Sequence, residues 1–152
     1  MNHLQYLKAH SNQTFEEAIK EMRAYELELQ NDYSETMAPE LARDMDEHDA
    51  IHALFACTTD LKGEILAHVW TMFGTTMTME QMKRVNQHKD HKKALKEIGH
   101  FKLLGTWLLI LPSIIKVIRN AKRMNQQFPI GDYPYLLQSR LCDLREEFGI
   151  KI

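Results

Sequence analysis

Two imidazoles and two carboxylates fall at helix-compatible spacing in one short stretch: His48, Asp49 and His52, then Glu64 after an interval of eleven residues. Met37, Leu41 and Met45 recur every four residues and mark the inward stripe of an amphipathic helix. The stripe continues through His48, Asp49 and His52 before returning to Phe55, while Arg43, Asp46 and Glu47 fall on the opposite, solvated face. Titratable groups thus stand where the pattern calls for apolar ones. A buried carboxylate is costly unless it is paired or ligates a metal, and a four-residue step lets two imidazoles converge on one ion. Thr58-Thr59 then turns the chain back. Residues equidistant from the turn of an antiparallel helix pair share one height; His52 lies six before Thr58 and Glu64 six after it, so Glu64 is expected to face the histidines. Gly63 is expected to let the two helices come close. The set makes a mixed nitrogen–oxygen site for a divalent cation, open to water or substrate. The competing reading is a satisfied buried hydrogen-bond network without an ion. His68, one turn beyond Glu64, is either a further ligand or an ordinary half-buried histidine.

Helices must position these groups, and start and stop signals occur along most of the chain. Thr14, with Glu16 and Glu17 in the first turn, predicts a helix over about 15–31. A second is expected from Ser34 or Pro39 to Cys57, a third from about Asp60 to Gly74, and a fourth from the Thr78 cap to Gly99. A fifth covers about 101–127, with Pro112 expected to kink it at Leu108 or Leu109. After a loop with Pro129, Gly131 and Pro134, a last helix over about 135–148 ends at Gly149. The expected architecture is all-α: one domain over 1–152, a bundle of about six helices, with a metal-binding hairpin over about 37–74. No repeat or interdomain linker interrupts it.

Composition bounds the rest. The 152 residues are 44% hydrophobic and 26% charged, which argues against wholesale disorder, and four prolines with six glycines are few for an all-β chain. Cys57 and Cys142 have no metal-type spacing and read as reduced thiols of a cytoplasmic protein. The N-terminus carries no apolar signal core, and the longest nearly apolar run, the thirteen residues Leu103–Ile115, is too short to span a bilayer. Nine methionines suit gap-filling in the core or the lining of an adaptable lipid pocket. The net charge of -2 conceals an asymmetry: residues 1–82 carry five Lys or Arg against fifteen Asp or Glu, whereas 83–123 carry eleven against two. A basic stretch beside an apolar one suits an anionic lipid surface or a phosphate; the alternative is that the acidic and basic halves pack together. No nucleic-acid partner is expected.

The pattern His48-Asp49-Ala50-Ile51-His52, eleven residues, Glu64 resembles the metal-binding motif of the fourth coenzyme Q biosynthesis protein family, a family of the ubiquinone pathway. Gly63-Glu64-Ile65 and Trp70 are similar to the segment that follows the motif in that family. Pro112–Arg123 resembles its basic helix, and Leu141, Arg145, Gly149 and Ile150 its Leu-x-x-x-Arg-x-x-x-Gly-Ile terminus, so the likeness covers about 40–150. The region before the motif is shorter than is usual in the family, and Asn120 stands where it has glycine. The resemblance implies an all-α fold and peripheral association with the inner membrane through an anionic surface. It implies binding of a polyprenyl lipid or quinone precursor, a homodimer, and contact with other quinone-biosynthesis proteins. It also implies an activity: oxidative decarboxylation at C1 of a polyprenylated hydroxybenzoate, with hydroxyl replacing the carboxylate. His48, His52 and Glu64 would then be direct ligands of zinc or iron. Asp49 would either join them or orient an imidazole, and Glu64 and Asp49 would carry the catalysis. Two histidines and one carboxylate suit iron(II) oxygen chemistry, whereas zinc would act only as a Lewis acid.

Two other classes compete. A non-catalytic polyprenyl-binding scaffold would use the ion structurally, and a closed site with every ligand from protein would favour it. A His-Asp phosphohydrolase usually needs a further upstream histidine and a late aspartate on separate helices; only His3 and His10 precede the motif here, so this reading ranks last.

Overall fold

Thr14 and Glu17 open the first long helix by a reciprocal cap. The Glu17 amide donates to Thr14 Oγ1 at 3.2 Å, and the Thr14 amide donates to Glu17 Oε2 at 2.8 Å. The computed structural model describes residues 4–29, 39–87 and 100–152. Its helices are α1 (Phe15–Leu29), α2 (Pro39–Leu54), α3 (Leu61–Gly74), α4 (Met79–Gln87), α5 (His100–Ala121), α6 (Tyr133–Leu136) and α7 (Leu141–Glu147), with single 3-10 turns at Gln5–Leu7 and Ile130–Asp132. The fold is all-α: among the described residues only the isolated bridges Thr14–Arg140 and Thr75–Phe128 pair extended backbone.

Differences from expectation have local causes. α2 stops at Leu54 rather than Cys57 because Ala56 enters the left-handed region at φ 53° and the Cys57 amide bonds back to the His52 carbonyl at 2.9 Å. The fifth helix ends at Ala121, short of 127, since Phe128 is drawn into an extended pairing: its amide donates to the Gly74 carbonyl at 2.8 Å, and its carbonyl accepts from Thr76 at 3.0 Å. The expected last helix is two pieces. Between them, the carbonyls of Leu137 and Ser139 each accept at 2.9 Å from Glu16 and Phe15, satisfying amides at the start of α1 that have no partner within that helix. The 88–99 part of the expected fourth helix, and Met37 of the inward stripe, lie outside the described residues.

α2 is the central element, packed on α1, α3 and α4, while α5 lies along α3. Phe15, Met22, Ile51, Leu54, Phe55, Trp70, Phe128 and Leu141 belong to one buried cluster, in which the Phe55 and Trp70 rings stack at 4.4 Å. Arg145 of α7 is driven into this core, where its guanidinium donates to the carbonyls of Leu54, Lys8 and Tyr6, each at 2.7 Å, and of Ala53 at 3.0 Å. It thereby caps the C-terminal carbonyls of α2, and burial pulls its pKa down to about 10. Gly149 follows at φ 68°, with the Ile150 amide returning to the Arg145 carbonyl at 2.7 Å, so the Leu-Arg-Gly-Ile terminus is a helix-ending device.

The outer face of α5 is divided along its length. Leu108 (65% exposed), Leu109 (83%), Leu111 and Ile115 (50%) leave apolar surface in solvent, and Lys116, Arg119, Lys122 and Arg123 continue it as an exposed basic end. No described helix is long and apolar enough to cross a membrane.

Candidate metal centre

Two adjacent helix ends build the site. His48 and His52 lie one turn apart on the last turns of α2, and their rings meet edge to face with centroids 4.7 Å apart. The Thr58 hydroxyl donates to Asp60 Oδ1 at 2.8 Å, and the same carboxylate oxygen caps α3 by accepting from the Gly63 amide at 2.8 Å. Glu64 thus enters in the first turn of α3, where a carboxylate also favours the helix dipole. A Cβ on Gly63 would stand 1.8 Å from the Thr58 carbonyl oxygen. The expectation that Gly63 lets α2 and α3 approach each other is corrected: the missing side chain makes room for the backbone of the turn itself, and so fixes where Glu64 begins.

Glu64 reaches both histidines. Its Oε2 lies 3.6 Å from His48 Nε2 and its Oε1 3.3 Å from His52 Nε2. One ligand atom from each of His48, His52 and Glu64 can be chosen so that all three lie within 4.8 Å of one another, with both histidines buried and Glu64 half-buried. Two donors at about 2.1 Å from a tetrahedral ion stand about 3.4 Å apart, the scale of the carboxylate–imidazole separations here. As hydrogen bonds the same contacts are poor: 3.6 Å is too long, and the 3.3 Å approach leaves the inaccessible His52 Nε2 without hydrogen-bond alignment. The three groups are thus spaced so that they could hold a cation between them.

The ring of His52 is set by the helix end. The Cys57 amide donates to the His52 carbonyl, and the Cys57 carbonyl lies 3.3 Å from His52 Nδ1, where it accepts the ring N–H. With Nδ1 engaged there, Nε2 is the ring atom that faces Glu64 and is placed to meet a cation, the arrangement usual for ligating histidines. Burial alone would lower the pKa of His52, but Glu64, Asp49 and the Cys57 carbonyl outweigh it and raise the value. His68 donates from Nδ1 to the Glu64 carbonyl at 2.8 Å, and its ring lies 5.9 Å from that of His48; it stands behind the three groups and is not one of them.

Asp49 stands apart from the convergence. Its Oδ2 accepts from Arg23 Nε of α1 at 2.6 Å, and the same guanidinium holds Asp46 Oδ1 at 2.5 Å. Burial raises the Asp49 pKa, opposed by Arg23. Glu47, expected on a solvated face, is buried at 4% exposure, because α4 covers that side and Gln81 Nε2 donates to it at 2.9 Å. Next to it Asp44, with no exposure at all, takes Arg84 Nε at 2.5 Å. Sequence reasoning also missed Glu26 of α1, whose half-buried carboxylate lies within electrostatic reach of Asp49, Glu64 and His52; burial first, then those two carboxylates, raises its pKa.

The fold and site together define an all-α protein whose His-His-Glu group can hold a metal ion. No family model matches the chain, and neither curated proteins nor solved structures give a match.

Proposed function

We propose that this chain is a metal-dependent decarboxylase of ubiquinone biosynthesis, acting at C1 of a polyprenylated hydroxybenzoate and releasing CO2 as hydroxyl from an oxidant such as dioxygen takes its place. The observation that carries the reading is the convergence of His48, His52 and Glu64, which gives physical form to the spacing shared with the fourth coenzyme Q biosynthesis protein family. Three protein donors leave positions open on a divalent ion, the mark of a catalytic rather than a structural site. Bound there, zinc or iron would polarise the ring carboxylate or phenolate as a Lewis acid.

The chain's own groups then have distinct tasks. His48 and His52 hold the ion from α2, with His52 oriented by the Cys57 carbonyl. Glu64 would supply the third donor from α3 and lower the net charge of the bound ion. Asp49, tied to Arg23, acts indirectly by fixing α1 against the helix that bears both histidines. The apolar and basic ends of the α5 face suit an anionic membrane surface, where a polyprenyl substrate resides: hydrocarbon beneath Leu108–Ile115, headgroup phosphates against Lys116–Arg123. On this reading the protein works peripherally at the inner membrane, a position that the exposed α5 face supports.

Glu64→Gln tests the reading, since it keeps the shape of the side chain and removes its charge. In a host deleted for its own C1-decarboxylation step, the parent chain is expected to restore ubiquinone and Glu64→Gln to fail. Both should co-purify with prenyl lipid, because the tail is held by apolar area and needs no metal. Restoration by Glu64→Gln equal to that of the parent would leave the ion structural and favour a lipid-presenting scaffold.

A further inference from the structure

Ligation through Nε2 demands a fixed imidazole, because the last torsion of a histidine side chain is broad and a donor must be held within about 10–20° of its productive direction. His52 takes that constraint from the Cys57 carbonyl, 3.3 Å from its Nδ1. This carbonyl sits just beyond the end of α2, where Ala56 in the left-handed region folds the Cys57 peptide back over the last turn. A second donor meets it there. Tyr6, fully buried, donates its phenol to the same carbonyl oxygen at 3.2 Å, so both lone pairs of that oxygen are engaged, one by each side chain. The backbone of Tyr6 is itself pinned on two sides. Its amide donates to Glu21 Oε2 of α1 at 3.0 Å, and its carbonyl accepts from Arg145 Nη2 of α7 at 2.7 Å. The 3-10 turn Gln5–Leu7 thus meets the end of α2 as a braced element.

We propose that Tyr6 is a positioning residue of the metal centre: its phenol holds in place the Cys57 carbonyl that aims His52 at the ion. The inference rests on the His48–His52–Glu64 group binding a cation, and it adds a residue from the N-terminal turn, outside the motif and its hairpin. Tyr6 is not a ligand and acts only through the carbonyl. Losing the phenol leaves that carbonyl its imidazole partner, so no buried acceptor is orphaned, and a phenyl ring in its place still fills the core. What is lost is the direction of the carbonyl, and with it the aim of Nε2.

The test is zinc affinity, measured by competition with a chromophoric chelator, together with the visible absorption of the cobalt(II)-loaded chain, whose bands respond to the arrangement of the donors. Tyr6→Phe is expected to keep one equivalent of metal at saturation and to shift the cobalt bands. It should bind zinc about 10-fold more weakly, the low end of the cost of losing an outer partner of a metal site. Thr71→Val removes a buried hydroxyl of the same kind, which donates to the Ala67 carbonyl at 2.8 Å farther along α3 from Glu64. It should leave affinity and bands at parental values. Parental zinc affinity in Tyr6→Phe, or a cobalt spectrum unshifted from the parent's, overturns the proposal while leaving the metal site standing. So does an equal loss in Thr71→Val, which reports a general loosening of the core. If Tyr6→Phe does not fold, Glu21→Ala decides, because it frees the Gln5 and Tyr6 amides from α1 and keeps the phenol. Shifted cobalt bands then sustain the proposal, and parental ones overturn it. A parent chain that binds neither metal removes the site and this inference with it.

Discussion

His48 and His52 share one face of α2 because four residues exceed a helical turn only slightly, and Glu64 meets them because the Asp60 cap starts α3 where it does. Among the described residues, each of the three supplies a donor that no neighbour duplicates. His48→Ala, His52→Ala and Glu64→Ala are therefore each expected to lower bound zinc, measured by elemental analysis after dialysis, to well below one equivalent. His68→Ala should retain the ion, since that ring bonds the Glu64 carbonyl and lies behind the cluster. Full occupancy in all three motif variants would show that any bound metal sits elsewhere. These residues were legible in the sequence because they interrupt an apolar stripe at a spacing that chemistry recognises. Glu26 was not: it lies on an acidic amphipathic helix where one more glutamate is unremarkable, and only the crossing of α1 over α2 gives it a neighbourhood. Arg23 offered a faint signal, since Asp46 and Asp49, one turn apart, call for a cation on whichever helix covers them.

At the scale of elements, the α2–α3 hairpin was readable from local signals alone: a cap, a break, and equal distances to either side. What α4 would cover was not. The sequence placed Glu47 in solvent because its own helix is polar there, whereas the Thr78–Gln81 cap starts α4 so that Gln81 and Arg84 reach across to Glu47 and Asp44. The burial of those carboxylates belongs to the pairing of two helices and is not written in either one. The turn between α2 and α3 makes a sharper claim. Gly63→Ala puts a methyl group 1.8 Å from the Thr58 carbonyl oxygen, so the turn must open. The expected cost is about 1–3 kcal/mol in chemical denaturation, the range for forced overpacking, accompanied by weaker zinc binding as Glu64 moves. A Gly63→Ala protein of parental stability and affinity would show that the turn accommodates the methyl group by a shift too small to matter.

Over the whole molecule, the acidic and basic stretches meet at the Arg84–Asp44 pair, yet among the described residues part of the basic stretch stays in solvent. Lys116, Arg119, Lys122 and Arg123 remain exposed, next to Leu108, Leu109 and Ile115. Anionic vesicles containing phosphatidylglycerol should bind the chain more tightly than neutral phosphatidylcholine vesicles, with each basic residue at the surface worth about 1 kcal/mol at most. Salt should erode the preference through screening. The triple change Lys116→Glu, Arg119→Glu, Lys122→Glu should abolish it without loss of zinc, since these side chains are exposed at the end of α5 and just beyond it. Equal sedimentation with both vesicle types at low salt would show that this face serves another purpose.

Arg145 carries a consequence for how the protein is made. The guanidinium that caps α2 at Ala53 and Leu54 is synthesised about ninety residues after them, and it bonds Tyr6 and Lys8 across an even longer stretch of chain. At translation rates of about 5–20 residues per second, roughly 5–20 s separate the appearance of the histidines from that of the arginine that secures the end of their helix. During that interval both imidazoles and Glu64 have emerged, yet the helix end that aligns them stays open to water. Closure of the helix that carries both imidazoles is therefore a late event in synthesis, and α7 is the latch that completes it.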